Sequence, residues 1–303
     1  MIKLQERMDK KKFEGAGFFY NEPMCLHTSF KIGGPADLFF VPKTIKHIED
    51  IIGLCIELDI PYYIMGNGSN LLVSDRGYRG VIIQICKNMS EYRIDGNRVY
   101  AQGGILLSSL SKHIYKAGLR GFEFASGIPG TLGGAVYMNA GAYGGEIKDV
   151  IIEAETLTRK GEVRILTKEA LELGYRHSSL QIHEDIVLSA TLVLEQGDKK
   201  TIKMLMQDLG QRRKDKQPIE LPSAGSTFKR PEGHYAGKLI MDAGLSGYRI
   251  GDARVSIKHC GFVVNEGQAT CKEVLELIDY IQYEVKTKFD VDLETEVRII
   301  GEF

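Results

Sequence analysis

Residues 121–145, GFEFASGIPGTLGGAVYMNAGAYGG, constrain this chain more than any other stretch. Eight of the 25 are Gly, and no side chain from Phe124 to Gly145 is charged. The run is not a membrane helix. Such a span wants about 20 mostly large apolar residues, and here Gly, Pro129, Ser126, Thr131 and Asn139 interrupt throughout. Gly-rich backbone reaches positive φ and lets another group approach bare N–H groups closely. A row of such N–H groups makes a cradle for anions, phosphates above all. Composition alone leaves two readings open: a ligand cradle, or a core loop packed against a neighbouring strand.

A second candidate is GNGSNLL, residues 66–72, which follows the short strand pattern Tyr62–Met65. Its two Gly, two Asn and Ser suit a turn whose N–H and hydroxyl groups face an anion. It is not a dinucleotide-binding fingerprint of the GxGxxG type. Leu71 stands where the third Gly belongs, and no helix pattern follows. It also lacks the GK[ST] of a nucleoside-triphosphate loop. An ordinary Asn/Gly turn remains the alternative.

The rest of the chain sets bounds. With 303 residues, 43% hydrophobic and 26% charged, it can bury a large core in about two domains. A net charge of −1 gives no reason to expect nucleic acid or an anionic membrane as partner. The basic runs Lys10–Lys12 and Arg212–Lys216 sit beside acidic residues and read as solvated helix faces. Cys25, Cys55, Cys86, Cys260 and Cys271 are odd in number and scattered, which suits reduced thiols rather than a disulfide framework. No HExxH or Cys/His zinc spacing occurs, so no metal site is expected. The charged start MIKLQERMDKKKFEG has no apolar core of a signal peptide. These features predict a cytoplasmic protein.

Periodicity divides the chain into three parts: 1–86, 87–200 and 201–303. The first 22 residues read as a polar amphipathic helix or a loose arm. Strand 37–41, a Thr44-capped helix with Ile45, Ile48, Ile51, Ile52 and Cys55 on one face, strand 62–65 and strand 80–85 form a small α/β unit. In the second part, strand 99–102 precedes a helix carrying Leu106, Leu107, Leu110, Ile114 and Ala117, stopped by Gly118. Strands 150–158 and 162–166 are joined at Arg159-Lys160-Gly161, residues 167–173 read as a short helix, and 186–194 as a strand. In the third part, helix 201–217 turns Ile202, Leu205, Met206 and Leu209 inward. Strand 260–264, a helix with the capping box Thr270/Glu273, and strand 293–300 follow. The terminal strand 293–303 can return to the earlier domains.

Six segments stand in fixed order: HTSFKIGGPADL (27–38), GNGSNLL (66–72), GIPGTLGGAVYMNAGAYG (127–144), YRHSS (175–179), AGSTFKRP (224–231) and LETEVR (293–298). Together they closely resemble the UDP-N-acetylenolpyruvoylglucosamine reductase family, in its short form, from about residue 23 to the end. The resemblance implies an α+β chain. Its first two parts form an FAD-binding fold of the vanillyl-alcohol-oxidase type, and a C-terminal α+β domain binds substrate. It implies that FAD is held by Gly66, Asn67, Gly68, Ser69, Asn70 and Leu71. The second loop would contribute Ser126, Gly127, Ile128, Pro129, Gly130, Thr131, Gly133, Gly134, Asn139, Ala140 and Gly141. NADPH is the implied co-substrate, with hydride passing from NADPH to FAD N5 to substrate C3, followed by protonation at C2. The product would be UDP-N-acetylmuramate, a peptidoglycan precursor, and the protein a monomer.

By matching motifs, Arg176 and Glu296 would stabilise the enolate-like charge, and Ser226 would protonate C2. A serine hydroxyl is a poor acid, so it needs neighbours that favour its alkoxide, and Lys229 is a candidate. Tyr175, Lys229, Arg230 and Asn265 are candidate substrate contacts. Two positions depart from the family. Ser246 stands where Lys is usual, for which Lys238, Arg249 or Lys258 are candidate substitutes, and Asp252 stands where Gly is usual. Two other functions stay open: an FAD-dependent alcohol or sugar oxidase of the same superfamily, and a catalytically dead nucleotide-binding regulator.

Overall fold

The computed structural model describes residues 2–8, 11 and 13–303. Lys10 and Lys12, in the first basic run, lie outside the described residues. The chain forms two compact units: Met1–Phe19, Leu38–Asn67 and Gly80–Arg212 in the first, Tyr20–Asp37, Gly68–Arg79 and Arg213–Phe303 in the second.

The first unit begins with helix α1, Ile2–Met8, which buries Leu4 and Met8. Of the helix or loose arm expected over 1–22, a helix forms at Ile2–Met8, while the segment ends in a strand, Gly17–Pro23, that neither reading included. Helix α2 spans Ile45–Glu57, with Thr44 Oγ1 accepting from the His47 N–H at 3.2 Å as its cap. Such a cap contributes about 1 kcal/mol. Ile48, Ile51, Ile52 and Cys55 are buried with Leu4 and Met8 in one cluster. The adjoining sheet has the strand order Gly17–Pro23, Pro35–Val41, Tyr78–Gln84, Tyr62–Met65, and its last two strands run parallel.

A second sheet in this unit is antiparallel, in the order Val163–Thr167, Ile151–Leu157, Ile186–Val193, Arg98–Gln102, Tyr92–Asp95. Helix α3, Leu107–Lys116, and helix α4, Leu132–Tyr137, share a core with it through Leu107, Leu110, Ile114, Leu132 and Val136. The helix expected at 167–173 is a run of turns. Lys168 bonds back to the Ile152 carbonyl at the sheet edge, and Glu172 adopts positive φ, so no helix propagates. The regular turn nearby is helix α5, Ser179–His183.

Helix α6, Lys199–Lys216, buries Ile202 and Leu209, while Leu205 is exposed rather than inward. In the second unit, helix α7, Ala236–Asp242, and helix α8, Cys271–Phe289, pack around a three-stranded sheet of Arg249–Ile250, Ala253–Val255 and Val263–Asn265. The last strand starts later than the expected 260–264 because a turn closes on the His259 carbonyl first, with Phe262 donating at 3.0 Å. The capping box at Thr270 and Glu273 is present, and Val274, Ile278, Ile281 and Val285 are buried. Burying each of these side chains contributes roughly 1.5–3 kcal/mol. Asp75 adds a further cap, its carboxylate accepting from the N–H groups of Cys271 (2.7 Å) and Lys272 (3.0 Å).

The terminal strand covers Arg298–Ile300 alone and pairs in parallel with Leu71–Val73, another strand of this unit. Residues 293–297 are not regular strand, since the carbonyl of Thr227 intercepts the N–H of Glu296 at 2.8 Å.

Candidate active site

In the first unit the two Gly-rich loops touch. The side-chain amide of Asn67 donates to the Pro129 carbonyl at 2.7 Å. A Cβ on Gly66 would lie 2.2 Å from Thr131 Oγ1, so only glycine allows this approach. Thr131 caps α4, its Oγ1 accepting from the Gly134 N–H at 3.4 Å. The Leu107 N–H bonds to the Gly130 carbonyl, and the Gly133 N–H to the Gly103 carbonyl at 2.7 Å, which fixes the loop from beneath. Ser126 Oγ donates to the Glu123 carbonyl, and the buried Glu123 carboxylate accepts from the Gly121 N–H. Asn67, Gly127, Pro129 and Gly134 are exposed, and Ile128 and Gly130 partly so.

The result is an uncharged, solvent-facing surface of backbone and small polar groups. Its donor set fits the diphosphate of a flavin dinucleotide, which backbone N–H groups can hold without a cation. The remainder of GNGSNL, Gly68–Leu71, belongs to the second unit. There the Gly68 carbonyl accepts from the Ser29 N–H.

Arg176 also lies in the first unit. It sits at the tip of a four-residue hairpin closed by bonds between Gly174 and His177, with φ +53°. Its guanidinium lies 5.2 Å from the centre of the half-exposed Tyr175 ring. Asn139 is fully buried, and Ala140 and Gly141 lead into a small hairpin with Gly145–Glu146.

Ser226 and Glu296 lie in the second unit, and the structure brings their segments together. Thr227, next to Ser226, accepts from the Glu296 N–H, and Phe228 and Thr295 form a bridge. Asn70 locks the other side: its amide donates to the Glu296 carbonyl at 3.1 Å, and its own carbonyl accepts from the Arg298 N–H at 3.0 Å. Buried Thr227 holds the frame through its Oγ1, which accepts from the Val263 N–H, and through its N–H, which donates to the Gly261 carbonyl. Motif matching did not single out Thr227, although it lies inside AGSTFKRP.

Lys229 forms an ion pair with Glu294. Arg230 stacks on Tyr235, 4.0 Å from the ring centre. Buried Asn265 donates to the Phe30 carbonyl and accepts from the N–H groups of Gly267 and Ala269, so its side chain organises a turn. His259 is partly buried, and this desolvation holds its imidazole below the ordinary histidine value; its Nδ1 accepts from the Gly261 N–H at 3.1 Å.

Around the Ser246 departure, each candidate cation faces a carboxylate: Lys238 with Asp242, Arg249 with Asp252, and Lys258 with Glu220. Lys288 of α8 donates to the Ala243 carbonyl at 2.7 Å, beside the 244–247 turn. Asp252 also accepts from the Gln268 N–H, which gives that departure a structural role.

The model of the FAD binding domain matches residues 36–167, and that of the C-terminal domain of UDP-N-acetylenolpyruvoylglucosamine reductase matches residues 217–300. The UDP-N-acetylenolpyruvoylglucosamine reductase of Alkaliphilus oremlandii is 57% identical over 93% of both chains. This chain belongs to the UDP-N-acetylenolpyruvoylglucosamine reductase family. A second member, from Clostridium botulinum, is 54% identical over 93% of this chain and 92% of its own. The crystal structure of the Thermus caldophilus reductase matches with a TM-score of 0.79 at 34% identity, covering 94% of this chain and 98% of that one. The protein is therefore an oxidoreductase with an FAD-binding domain. Its fold is the expected α+β one, with the vanillyl-alcohol-oxidase type of FAD-binding fold followed by the family's C-terminal domain.

Proposed function

We propose that this reductase uses NADPH to reduce the enolpyruvyl ether of UDP-N-acetylenolpyruvoylglucosamine to UDP-N-acetylmuramate, in the cytoplasm, as a step of peptidoglycan precursor synthesis. The observation that carries the reading is the Thr227–Asn70 frame. It fixes a serine segment against a glutamate segment in a chain that matches the family nearly end to end. The working division is 1–86 and 87–200 for the cofactor and 201–303 for the sugar nucleotide, in a monomer.

Gly66–Leu71 and the 126–134 loop hold FAD, with the diphosphate on backbone N–H groups. Bound FAD supplies the two-electron carrier between NADPH and the enolpyruvyl double bond. The chain's own residues handle charge and proton. Arg176 and a proton-bearing Glu296 stabilise the negative charge that builds towards the substrate carboxylate when C3 gains hydride. Ser226 Oγ gives its proton to C2 and recovers one from solvent. Tyr175, Lys229 and Arg230 contact the sugar nucleotide, and Asn265 shapes the 265–269 turn.

A steady-state assay tests the reading. NADPH consumption should require the enolpyruvyl sugar nucleotide and match it one to one. Peroxide release from an alcohol or sugar without NADPH would assign an oxidase instead. Affinity for the sugar nucleotide without turnover would assign a binding protein.

A further inference from the structure

We infer that Asn139, assisted by Gln181, is a positioning residue for Arg176, an inference that rests on the role proposed for Arg176 above. Asn139 follows the C-terminal end of α4, is fully buried and has φ +42°. Its Nδ2 donates to the Gly174 carbonyl and to Glu146 Oε2, both at 2.8 Å, and its Oδ1 accepts from the Lys148 N–H at 2.9 Å. Those bonds use three of the four that an amide side chain offers. This side chain is engaged inside the protein.

Gly174 is the base of the hairpin that carries Arg176. Its N–H donates to the His177 carbonyl at 3.1 Å, and the His177 N–H donates back at 3.3 Å. At the tip Arg176 is left-handed, a conformation costly for a residue with a Cβ and retained only where neighbours enforce it. Gln181 does so from the other side. Its Nε2 donates to the Arg176 carbonyl at 3.1 Å and to the Tyr137 carbonyl at 2.9 Å. Buried Ser178 donates to the same Tyr137 carbonyl at 2.7 Å. The hairpin is thus bonded at its base directly to Asn139, and at its tip carbonyl to Gln181, which bridges to the Tyr137 carbonyl.

The chemistry explains why this position is Asn. Asn tolerates the left-handed backbone better than most residues, and it supplies donors for two acceptors at once. An Asp there would set a carboxylate against the Gly174 carbonyl and the Glu146 carboxylate. The arrangement also gives the second half of the Gly-rich stretch a purpose. The residue before α4, Thr131, lies in the proposed flavin loop, and the residues ending it hold the hairpin of Arg176. One short helix therefore spaces cofactor loop and guanidinium loop within the first unit.

The test uses the FAD-loaded enzyme and four variants: Asn139→Gly, which keeps the left-handed backbone and deletes the amide, Gln181→Met, Arg176→Ala, and Asn139→Gly with Arg176→Ala. Two readouts are followed, amide hydrogen exchange over residues 174–178 and the steady-state constants. Asn139→Gly and Gln181→Met should each speed exchange at 174–178. Asn139→Gly should also lower kcat about tenfold to a hundredfold, as expected for a misplaced group, with the KM for NADPH nearly constant. Adding Asn139→Gly to Arg176→Ala should cost nothing further, because both act through one guanidinium. Additive losses would show a merely structural role and overturn the proposal. Unchanged exchange and kcat in both single variants, with Arg176→Ala impaired, would overturn it and leave Arg176 catalytic. Normal turnover of Arg176→Ala would overturn the role of Arg176 itself. If Asn139→Gly does not fold, Gln181→Met decides by the same criteria.

Discussion

The side-chain amide of Asn67 donates to the carbonyl of Pro129 at 2.7 Å, tying together two Gly-rich loops that are 62 residues apart in the chain. Beside this bond a Cβ on Gly66 would meet Thr131 Oγ1 at 2.2 Å. Gly66→Ala must therefore push the loops apart, at a cost of about 1–3 kcal/mol typical of overpacking. The variant should fold but retain FAD at least about tenfold more weakly. Flavin absorbance per chain after dialysis measures it.

Asp75 caps helix α8 through two N–H groups, alongside the Thr270/Glu273 box. Asp75→Ala should cost about 1 kcal/mol and lower the melting temperature by roughly 2–4 °C. Asp75→Asn should lose less, since one amide oxygen still accepts. Calorimetry on the three proteins checks the order.

His259 gives a pH dependence. Burial lowers its value from the ordinary 6.5, and Nδ1 accepts from the Gly261 N–H, so the folded chain keeps a neutral ring. The unfolded chain then binds the proton more readily. Its contribution to stability is complete above about pH 6.5 and is lost as pH falls through the lowered folded value. Denaturation midpoints measured between pH 7.5 and 5 should fall less steeply in His259→Gln than in the parent. Because the Gly261 carbonyl accepts from the Thr227 N–H, acid should loosen the Ser226 segment early.

The cysteines make a chemical prediction. Burial pushes Cys55 and Cys271 up to about 12, and Cys86 is raised for the same reason. Cys260 is buried, whereas Cys25 is partly exposed. A thiol reagent at pH 7.5 should label Cys25 rapidly in the native protein and all five only after denaturation. Mass spectrometry of labelled peptides distinguishes these outcomes.

Much of the architecture was legible because its signals are local. Thr44 before an apolar stripe, Thr270 three residues before Glu273, and Arg159-Lys160-Gly161 between two strand patterns each carry their own mechanism, and each appears as expected. What was not legible depends on partners distant in sequence. The strand Leu71–Val73 exists because Arg298–Ile300 lies beside it, and the tail stays irregular at 293–297 because Thr227 takes its N–H groups. The site divides the same way. Six motifs named its residues, but nothing in them revealed that Asn70 holds the Glu296 carbonyl or that the Asn139 side chain faces inward to Gly174. Pairings of this kind have no sequence period.

In the proposed reaction NADPH reduces the enolpyruvyl substrate with FAD bound, and Ser226 supplies the proton. The most direct measurement is the anaerobic visible spectrum of the parent and Ser226→Ala, recorded first with NADPH and then with the enolpyruvyl sugar nucleotide. Both proteins should be yellow and bleach with NADPH. The sugar nucleotide should restore colour rapidly in the parent and about a hundredfold to ten-thousandfold more slowly in Ser226→Ala. A colourless protein that takes up no FAD, or equal restoration of colour in both proteins, would contradict the account.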